Sequence, residues 1–159
     1  MKPIPVKDSI TTMTELVLPQ HTNALGTVFG GVIMSWIDIC AAIAGSRHTS
    51  RQVVTASIDA LNFVAPVYKG WIVSLHAAVN YVGRTSMEIG VRVDAETPIE
   101  RKKVHTASAY LTFVALDQHG RPIEIPPVLP ETPEQKRRYE AAQLRRTARL
   151  EMINKLGKG

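Results

Sequence analysis

The stretch FGGVIMSWIDICAAIAG, residues 29–45, is the most apolar part of the chain, and Asp38 is its only acidic residue. The stretch is longer than a typical β-strand, and its length fits a helix. Because it is apolar on nearly every side, we expect the rest of the protein to surround this helix. A carboxylate is costly to bury unless it is paired, hydrogen-bonded or neutralised. Asp38 therefore needs either a structural partner or a function.

Outward from this helix, the sequence shows a run of strand-like segments. One short segment precedes the helix, and four longer ones with a period of two residues follow it. Their ranges are 14–20, 53–63, 71–82, 86–96 and 103–116. Connections such as YKG and VGR are too short for parallel crossovers, so they favour antiparallel neighbours.

These elements predict an α+β fold, in which a curled antiparallel sheet of five to six strands wraps a long central helix. Alternation in 86–96 points Met87 and every second residue up to Val93 inward, and Glu88, Arg92 and Asp94 outward. In 71–82, every second residue from Trp71 to Tyr81 shares one face. One helix covers only part of such a sheet, so we expect the remaining surface to pair with another subunit.

The composition is ordinary for one soluble domain, since the 159 residues are 45% hydrophobic and 21% charged. No apolar run is long enough to span a bilayer, and the N-terminus lacks the apolar region of a secretory signal. Cys40 is the single cysteine and lies in the apolar helix, where we expect it to be a small buried side chain. A chain without a possible internal disulfide fits a reducing compartment, so the expected location is cytoplasmic.

The basic character of the protein is concentrated at its C-terminal end. Residues 131–159 contain eight Lys or Arg and four Glu, against a net charge of +5 for the whole chain. Thr132, Pro133 and Gln135 match the start of a capped helix, which we expect to run from about Pro133 to Leu156. We accordingly divide the chain into a main domain, 1–130, and a basic helical extension, 131–159, at its periphery.

The common metal and nucleotide motifs are absent from the sequence. It contains no HExxH or CxxC, no phosphate-binding loop, no GxGxxG and no GxSxG. We therefore expect neither a metal site nor a cofactor.

A polar loop, two glycines and one acid remain as candidates for chemistry. Gly30 and Gly31 allow close approach to the backbone at a helix start, where N–H groups suit a carbonyl oxygen that develops charge. Asn23 can both donate and accept hydrogen bonds. Asp38 could act as a base or a nucleophile. The alternative is that Asp38 is a structural acid, paired for instance with Arg47 near the end of the helix.

Three segments resemble the hotdog-fold acyl-CoA thioesterases, the group of cytosolic acyl-CoA hydrolases and their small single-domain bacterial relatives. They are TNALGTVFGGVIMSWIDICAAIAGSRH (22–48), VVTASIDALNFVAPVYKG (53–70) and AAVNYVGRTSMEIGVRVDAE (77–96). The resemblance extends in order over about 14–116. The hotdog fold that it implies agrees with the helix and sheet predicted above.

The resemblance implies hydrolysis of acyl-CoA to a free acid and CoA at an interface between two subunits. Asn23 of one protomer would position the water or the carbonyl group, and Asp38 of its neighbour would activate water or attack directly. Backbone N–H groups at Gly30 or Gly31 would stabilise the oxyanion. Many relatives have histidine where this chain has Phe29, which removes any argument for a histidine base there. We also expect the chain to fall within the broad class of serine esterases.

The segment VGRTSME resembles the CoA-binding turn of the family. It would place Gly83, Arg84, Thr85 and Ser86 near the nucleotide phosphates, for which an arginine and two hydroxyls are apt. Its alternative interpretation is a tight β-connection with a solvated arginine.

Three further positions have weaker assignments. Arg47 and His48, after the helix, are candidates for CoA contacts, against a simple role for cations at a helix C-terminus. Asp59 matches a family acid for which a structural hydrogen bond is expected.

The expected partners are an acyl-CoA substrate and further copies of the chain, arranged as hotdog dimers and as a hexamer made of three dimers. The basic extension is interpreted as a solvated helix face or as a region that attracts polyanionic CoA. Nucleic-acid binding is disfavoured because Tyr139 is the only aromatic residue among these charges. The alternative function is a non-catalytic acyl-CoA or nucleotide sensor that uses the same groove.

Overall fold

The long apolar stretch forms a helix, as expected. The computed structural model describes residues 1–157, and in it the first helix, α1, spans Gly30–Thr49. The helix begins directly after Phe29, whose backbone is extended, and it ends where Ser50 adopts a left-handed conformation. One side of α1 is buried, including Trp36, Ile37 and Cys40.

A five-stranded antiparallel sheet surrounds α1 and confirms the predicted α+β class. The strand order is β2-β4-β5-β6-β3. The strands are β2 (Thr11–Leu16), β3 (Gln52–Ile58), β4 (Ile72–Val82), β5 (Ser86–Thr97) and β6 (Lys102–Leu116). Two short segments, β1 (Ile4–Pro5) and β7 (Val128–Leu129), pair in parallel outside this sheet.

The core lies between α1 and the inner face of the sheet. Every strand of the five contacts α1. The predicted inward residues of β5, from Met87 to Val93, are all buried there. Gly45 lets α1 approach closely, because a Cβ at this position would lie 2.9 Å from the Met87 Cε atom.

Two β-bulges overturn the simple alternation predicted for β3 and β4. A register shift between Val79 and Tyr81 moves Tyr81 to the outer face, where its ring packs against Tyr139 at a centroid distance of 5.2 Å. The shared face predicted from Trp71 to Tyr81 is therefore wrong at its end. A second shift falls between Thr55 and Ser57, and β3 ends at Ile58 rather than near Phe63.

The outer face of the sheet is partly covered by the second helix, α2 (Pro133–Leu156). Its start follows the predicted capping box, in which the Thr132 side chain accepts a hydrogen bond from the Gln135 N–H. Glu88 points outward, as expected, but it is 3% exposed because α2 lies over it. Arg145 of α2 holds this carboxylate through two hydrogen bonds of 2.7 and 3.1 Å.

Large apolar side chains remain exposed on the open side of α1 and on its neighbouring strand. Met34, Ile39 and Ile43 of α1 are exposed among polar residues, and Val54 of the edge strand β3 is 45% exposed. The composition of the helix predicted that the protein would surround it, but a single chain leaves one side of the helix open. Within residues 1–157, neither helix combines the length and apolar character needed to cross a membrane.

Candidate active site

Asp38 lies on α1 at the side that faces β3. Its side chain is partly buried, and its Oδ1 accepts a hydrogen bond of 2.5 Å from the hydroxyl of Thr55. Arg47, the alternative structural partner, is not its neighbour. The Arg47 guanidinium instead donates to the Ile10 carbonyl oxygen and the Thr11 hydroxyl, at 2.8 and 3.0 Å. The carboxylate is therefore held by one hydroxyl and has no cation to neutralise it among the described residues.

Sequence reasoning missed Thr55 as a site residue. The period of two does place Thr55 on the same face as Val53, which contacts Gly45 of α1. The pattern does not show how this strand is positioned along the helix. That position decides that Thr55, and not Ser57, reaches Asp38. The bulge between these two residues sends Ser57 to the opposite side, where it borders a cavity with residues of α2.

Asn23 shapes the loop that precedes α1. Its Oδ1 accepts hydrogen bonds from the N–H groups of Leu25 and Thr27, at 2.9 and 3.3 Å. Its Nδ2 donates to the Thr27 hydroxyl at 2.9 Å. The amide is exposed and held in place, and since Nδ2 carries two N–H groups, one of them remains for another acceptor.

Gly30 and Gly31 form the first turn of α1, whose N–H groups have no acceptor within the helix. A Cβ at Gly31 would lie 2.7 Å from Cε1 of the Phe29 ring, so a side chain there would displace that ring. At Gly30 the nearest atom to such a Cβ would be Cε2 of Phe63, at 3.5 Å.

An apolar cavity of about 380 Å³ opens beside this turn. Its lining comprises Thr27, Val28, Gly30, Ile33, Phe63, Val64, Ala65, Pro66 and Val67. Apolar side chains therefore lie next to the start of α1, where the N–H groups without a helical acceptor are found.

The predicted CoA-binding turn is the hairpin between β4 and β5. It is closed by a hydrogen bond of 2.8 Å from the Gly83 N–H to the Ser86 carbonyl oxygen. The backbone oxygen of Arg84 accepts from the Ile125 N–H at 2.9 Å, whereas the Arg84 side chain is exposed. Gly83, Arg84, Thr85 and Ser86 thus form one ordered tip.

Arg47 and His48 lie elsewhere and have structural partners. His48 is 1% exposed, and its Nε2–H donates to the Pro126 carbonyl oxygen at 2.8 Å. Burial lowers the pKa of this histidine, which favours its neutral form. His48 thus has a structural partner within the chain, and Arg47 has the N-terminal segment as its partner; CoA contacts of these residues stay a prediction.

Two other expectations about titratable groups concern Asp59 and Cys40. Asp59 accepts a hydrogen bond of 2.8 Å from Arg149 of α2, which agrees with a structural role. Cys40 is fully buried, and burial raises the pKa of its thiol to about 11. The thiol is therefore protonated at neutral pH and is unsuited to nucleophilic attack.

The expected serine esterase class is not supported, because the candidate base or nucleophile is the carboxylate of Asp38 and not a serine hydroxyl. Ser108 and His105 do lie 3.2 Å apart between Oγ and Nε2. However, Ser108 borders a cavity with residues of α2, on the outer face of the sheet. Asp38 lies at the inner face, so the serine is not part of its surroundings.

A long helix wrapped by a curled five-stranded sheet, with a partly buried aspartate on the helix, defines the class of hotdog-fold thioesterases. Residues 25–101 match the model of the thioesterase superfamily. An acyl-CoA thioester hydrolase of Bacillus subtilis is 42% identical over 129 residues, 81% of this chain and 75% of that protein. The cytosolic acyl coenzyme A thioester hydrolase of Rattus norvegicus is 37% identical over 141 residues. These cover 87% of this chain but only 37% of the rat protein.

Solved structures give the same result. A hexameric acyl-CoA thioesterase in its apo form superposes with a TM-score of 0.93 at 40% identity, covering 96% of this chain and 98% of that one. The acyl-CoA hydrolase of Staphylococcus aureus, solved with butyryl coenzyme A and coenzyme A, superposes with a TM-score of 0.85 at 37% identity. Here 96% of this chain and 95% of that one are covered. The chain belongs to the acyl-CoA thioester hydrolases of the thioesterase superfamily.

Proposed function

We propose that this protein hydrolyses acyl-CoA thioesters to a free carboxylic acid and CoA. The observation that carries the proposal is the Asp38 carboxylate, hydrogen-bonded to Thr55 and without a cation, on the open side of α1. Such a carboxylate retains Oδ2 for a proton or for bond formation. The family and the CoA-containing structure of the Staphylococcus aureus relative support acyl-CoA as the substrate class.

The proposed chemistry uses the groups already described. The oxygen of water, or of Asp38 itself, adds to the thioester carbonyl carbon, and the new oxyanion accepts hydrogen bonds from the N–H groups of Gly30 or Gly31. Collapse of this intermediate breaks the carbon–sulfur bond, and the leaving CoA thiolate takes up a proton. Direct attack by Asp38 would leave an anhydride and the CoA thiolate; one water then opens the anhydride, a proton from it ends on the thiolate, and the products are the same. Asn23 orients the water or the carbonyl through its unused Nδ2–H.

Variant structures of the Staphylococcus aureus enzyme support this choice of residues. In them an asparagine, an aspartate and a threonine have each been replaced by alanine. The three positions are separated by the same two intervals as Asn23, Asp38 and Thr55 in this chain. The coincidence supports a site built from all three side chains.

We further propose that Asn23 and Asp38 of neighbouring subunits combine. The edge of β3 is open beside exposed apolar residues of α1, and an unpaired edge beside such residues is suited to a two-fold contact. Three such dimers would form a hexamer like those of two relatives. We also propose a cytoplasmic location, by analogy with the cytosolic relative.

No cofactor is needed for this reaction, since CoA is part of the substrate. Residues 131–159 are proposed to extend the main domain, residues 1–130.

The decisive experiment is release of free thiol from a panel of acyl-CoAs of increasing chain length. The wild-type protein should release thiol, and Asp38→Asn should lower kcat by at least about tenfold because the carboxylate activates or attacks. Asn23→Ala should lower it similarly, while the circular dichroism spectrum and the oligomer remain unchanged. Binding of acyl-CoA without thiol release would instead show the alternative function, a sensor, and full turnover in Asp38→Asn would refute the site.

Transfer of ¹⁸O from solvent in a single turnover tests the nucleophilic role of Asp38. Water that opens the anhydride at the aspartyl carbonyl leaves the label in Asp38, so a labelled protein shows direct attack; an unlabelled protein fits a general base or water attack at the acyl carbon. Peptide mass spectrometry of the α1 segment reads the outcome directly.

A further inference from the structure

Three arginines lie in the middle of α2, and two of them, Arg145 and Arg149, are bound to acids of the sheet. Arg145 binds Glu88, and its guanidinium carbon also lies 3.6 Å from the centroid of the Tyr110 ring. Arg149 binds Asp59 at 2.8 Å and lies 3.7 Å from Glu88. Both side chains fix the helix on the outer face of the sheet.

Arg146 points to a different place. Its Nη2 and Nε atoms lie 3.6 and 3.7 Å from the position that a Cβ at Gly83 would occupy. The guanidinium therefore lies against the β4–β5 turn, beside the residue that precedes Arg84. Within residues 1–157, Arg146 and Arg84 make no ion pair with an acid, and no side-chain hydrogen bond holds Thr85 or Ser86.

Space for a ligand exists next to these unused donors. A cavity of about 200 Å³ lies between α2 and the strands, and Ser86 and Arg146 both border it. Glu88 and Arg149 border the same cavity, but they bind other partners, so the Arg146 guanidinium beside the turn is free to attract an anion. Guanidinium groups and hydroxyls around one turn are suited to a phosphate.

We propose that Arg146 of α2 completes the CoA site by binding, together with Arg84, a phosphate group of the nucleotide portion of CoA. The inference rests on the proposed function, and it makes the basic extension a part of the substrate site. The acids bound by Arg145 and Arg149 position the helix, and this leaves Arg146 directed at the turn. Thr85 and Ser86 supply the hydroxyl donors.

The test compares Arg146→Gln with Lys136→Gln, a control that removes the same charge from an exposed position of the same helix. Isothermal titration with CoA should show a Kd about tenfold weaker for Arg146→Gln than for the control, as expected for loss of one charge-assisted hydrogen bond. Arg84→Gln should weaken CoA binding similarly. Equal Kd values for the Arg146 and Lys136 variants would overturn the inference.

Shortened ligands identify the group that is bound. Dephospho-CoA lacks the 3′-phosphate, and acyl-pantetheine lacks all phosphates. The penalty of Arg146→Gln should shrink with acyl-pantetheine, and its persistence with dephospho-CoA would assign the contact to the diphosphate. A penalty that stays the same for acyl-pantetheine would show a general effect on the fold and refute phosphate binding.

The titration also keeps this inference separate from the proposed function. Thiol release by the wild-type protein tests hydrolysis, and the Kd for CoA tests Arg146. A protein that binds CoA in an Arg146-dependent way without turnover would refute hydrolysis and leave the inference supported. A wild-type protein that does not bind CoA would overturn the inference itself.

Discussion

At the scale of the residue, Asp38 illustrates how an acid can be tolerated in an apolar helix. The carboxylate stays partly exposed, and the Thr55 hydroxyl supplies the hydrogen bond that offsets part of its lost hydration. Neither feature requires a buried cation. The acid is therefore partly accessible on the side of the helix that faces β3.

Sequence reasoning found Asp38 and Asn23 because each is conspicuous where it stands. A single acid in an apolar run and a polar loop before a helix are both visible in one dimension. Thr55 is one of several polar residues of an exposed strand, so nothing in the sequence separates it from Ser57. Its role depends on the register between β3 and α1, which is a property of the folded chain.

We expect Thr55→Val to lower kcat about tenfold or more, because a hydrogen bond to a charged group contributes roughly 1.5–3 kcal/mol. Valine has nearly the same shape, so KM should change much less than kcat. Thr55→Ser keeps the hydroxyl and should restore most of the turnover. Steady-state kinetics with one acyl-CoA provide the measurement, and equal losses in the Val and Ser variants would contradict a positioning role for the hydroxyl.

At the scale of the element, α2 has a structural role that its own sequence did not predict. Charge and polarity predicted a peripheral helix, and its bounds and cap were predicted closely. The sequence could not show that Arg145 would meet Glu88, because alternation alone sent this glutamate to the solvent. The pattern predicted that the outer face of β5 is exposed to solvent. In the structure this face is in contact with α2.

We expect Glu88→Gln to destabilise the protein by about 3 kcal/mol, since removal of one partner leaves the other charge partly buried and unpaired. Urea denaturation measures the change in free energy of unfolding. Faster trypsin cleavage within α2 should accompany it, because Arg145 loses its anchor. Glu140→Gln, an exposed position of α2, is the control. The same stability in both variants would contradict an anchoring role for Glu88.

At the scale of the whole molecule, the open apolar side of α1 and the free edge of β3 indicate a surface made for association. The size of the sheet predicted an uncovered surface, which the structure shows. The sequence did not predict which residues form the open side, because α1 is apolar nearly all round. Only the packed sheet distinguishes its buried face from the exposed side that carries Met34, Ile39 and Ile43.

Mixing two inactive variants tests whether sites form between subunits. If Asn23 and Asp38 come from different chains, random exchange of Asn23→Ala and Asp38→Asn subunits rebuilds about a quarter of the sites in a two-fold dimer. Recovery of thiol release to that level is expected after co-refolding or co-expression. Native mass spectrometry verifies that mixed oligomers form. Mixed oligomers without recovered turnover would place both residues of each site in one chain.

The contact between Glu88 and Arg145 also has a consequence for anyone who wishes to shorten this protein. A cut after residue 130 follows the sequence boundary, yet it would strip the cover from a carboxylate that is 3% exposed in the intact chain. It would also uncover the outer ring faces of Tyr81 and Tyr110, which now rest against α2. A minimal version would need a redesigned sheet exterior, with this patch made polar, before it could be used as a scaffold for fusion or display.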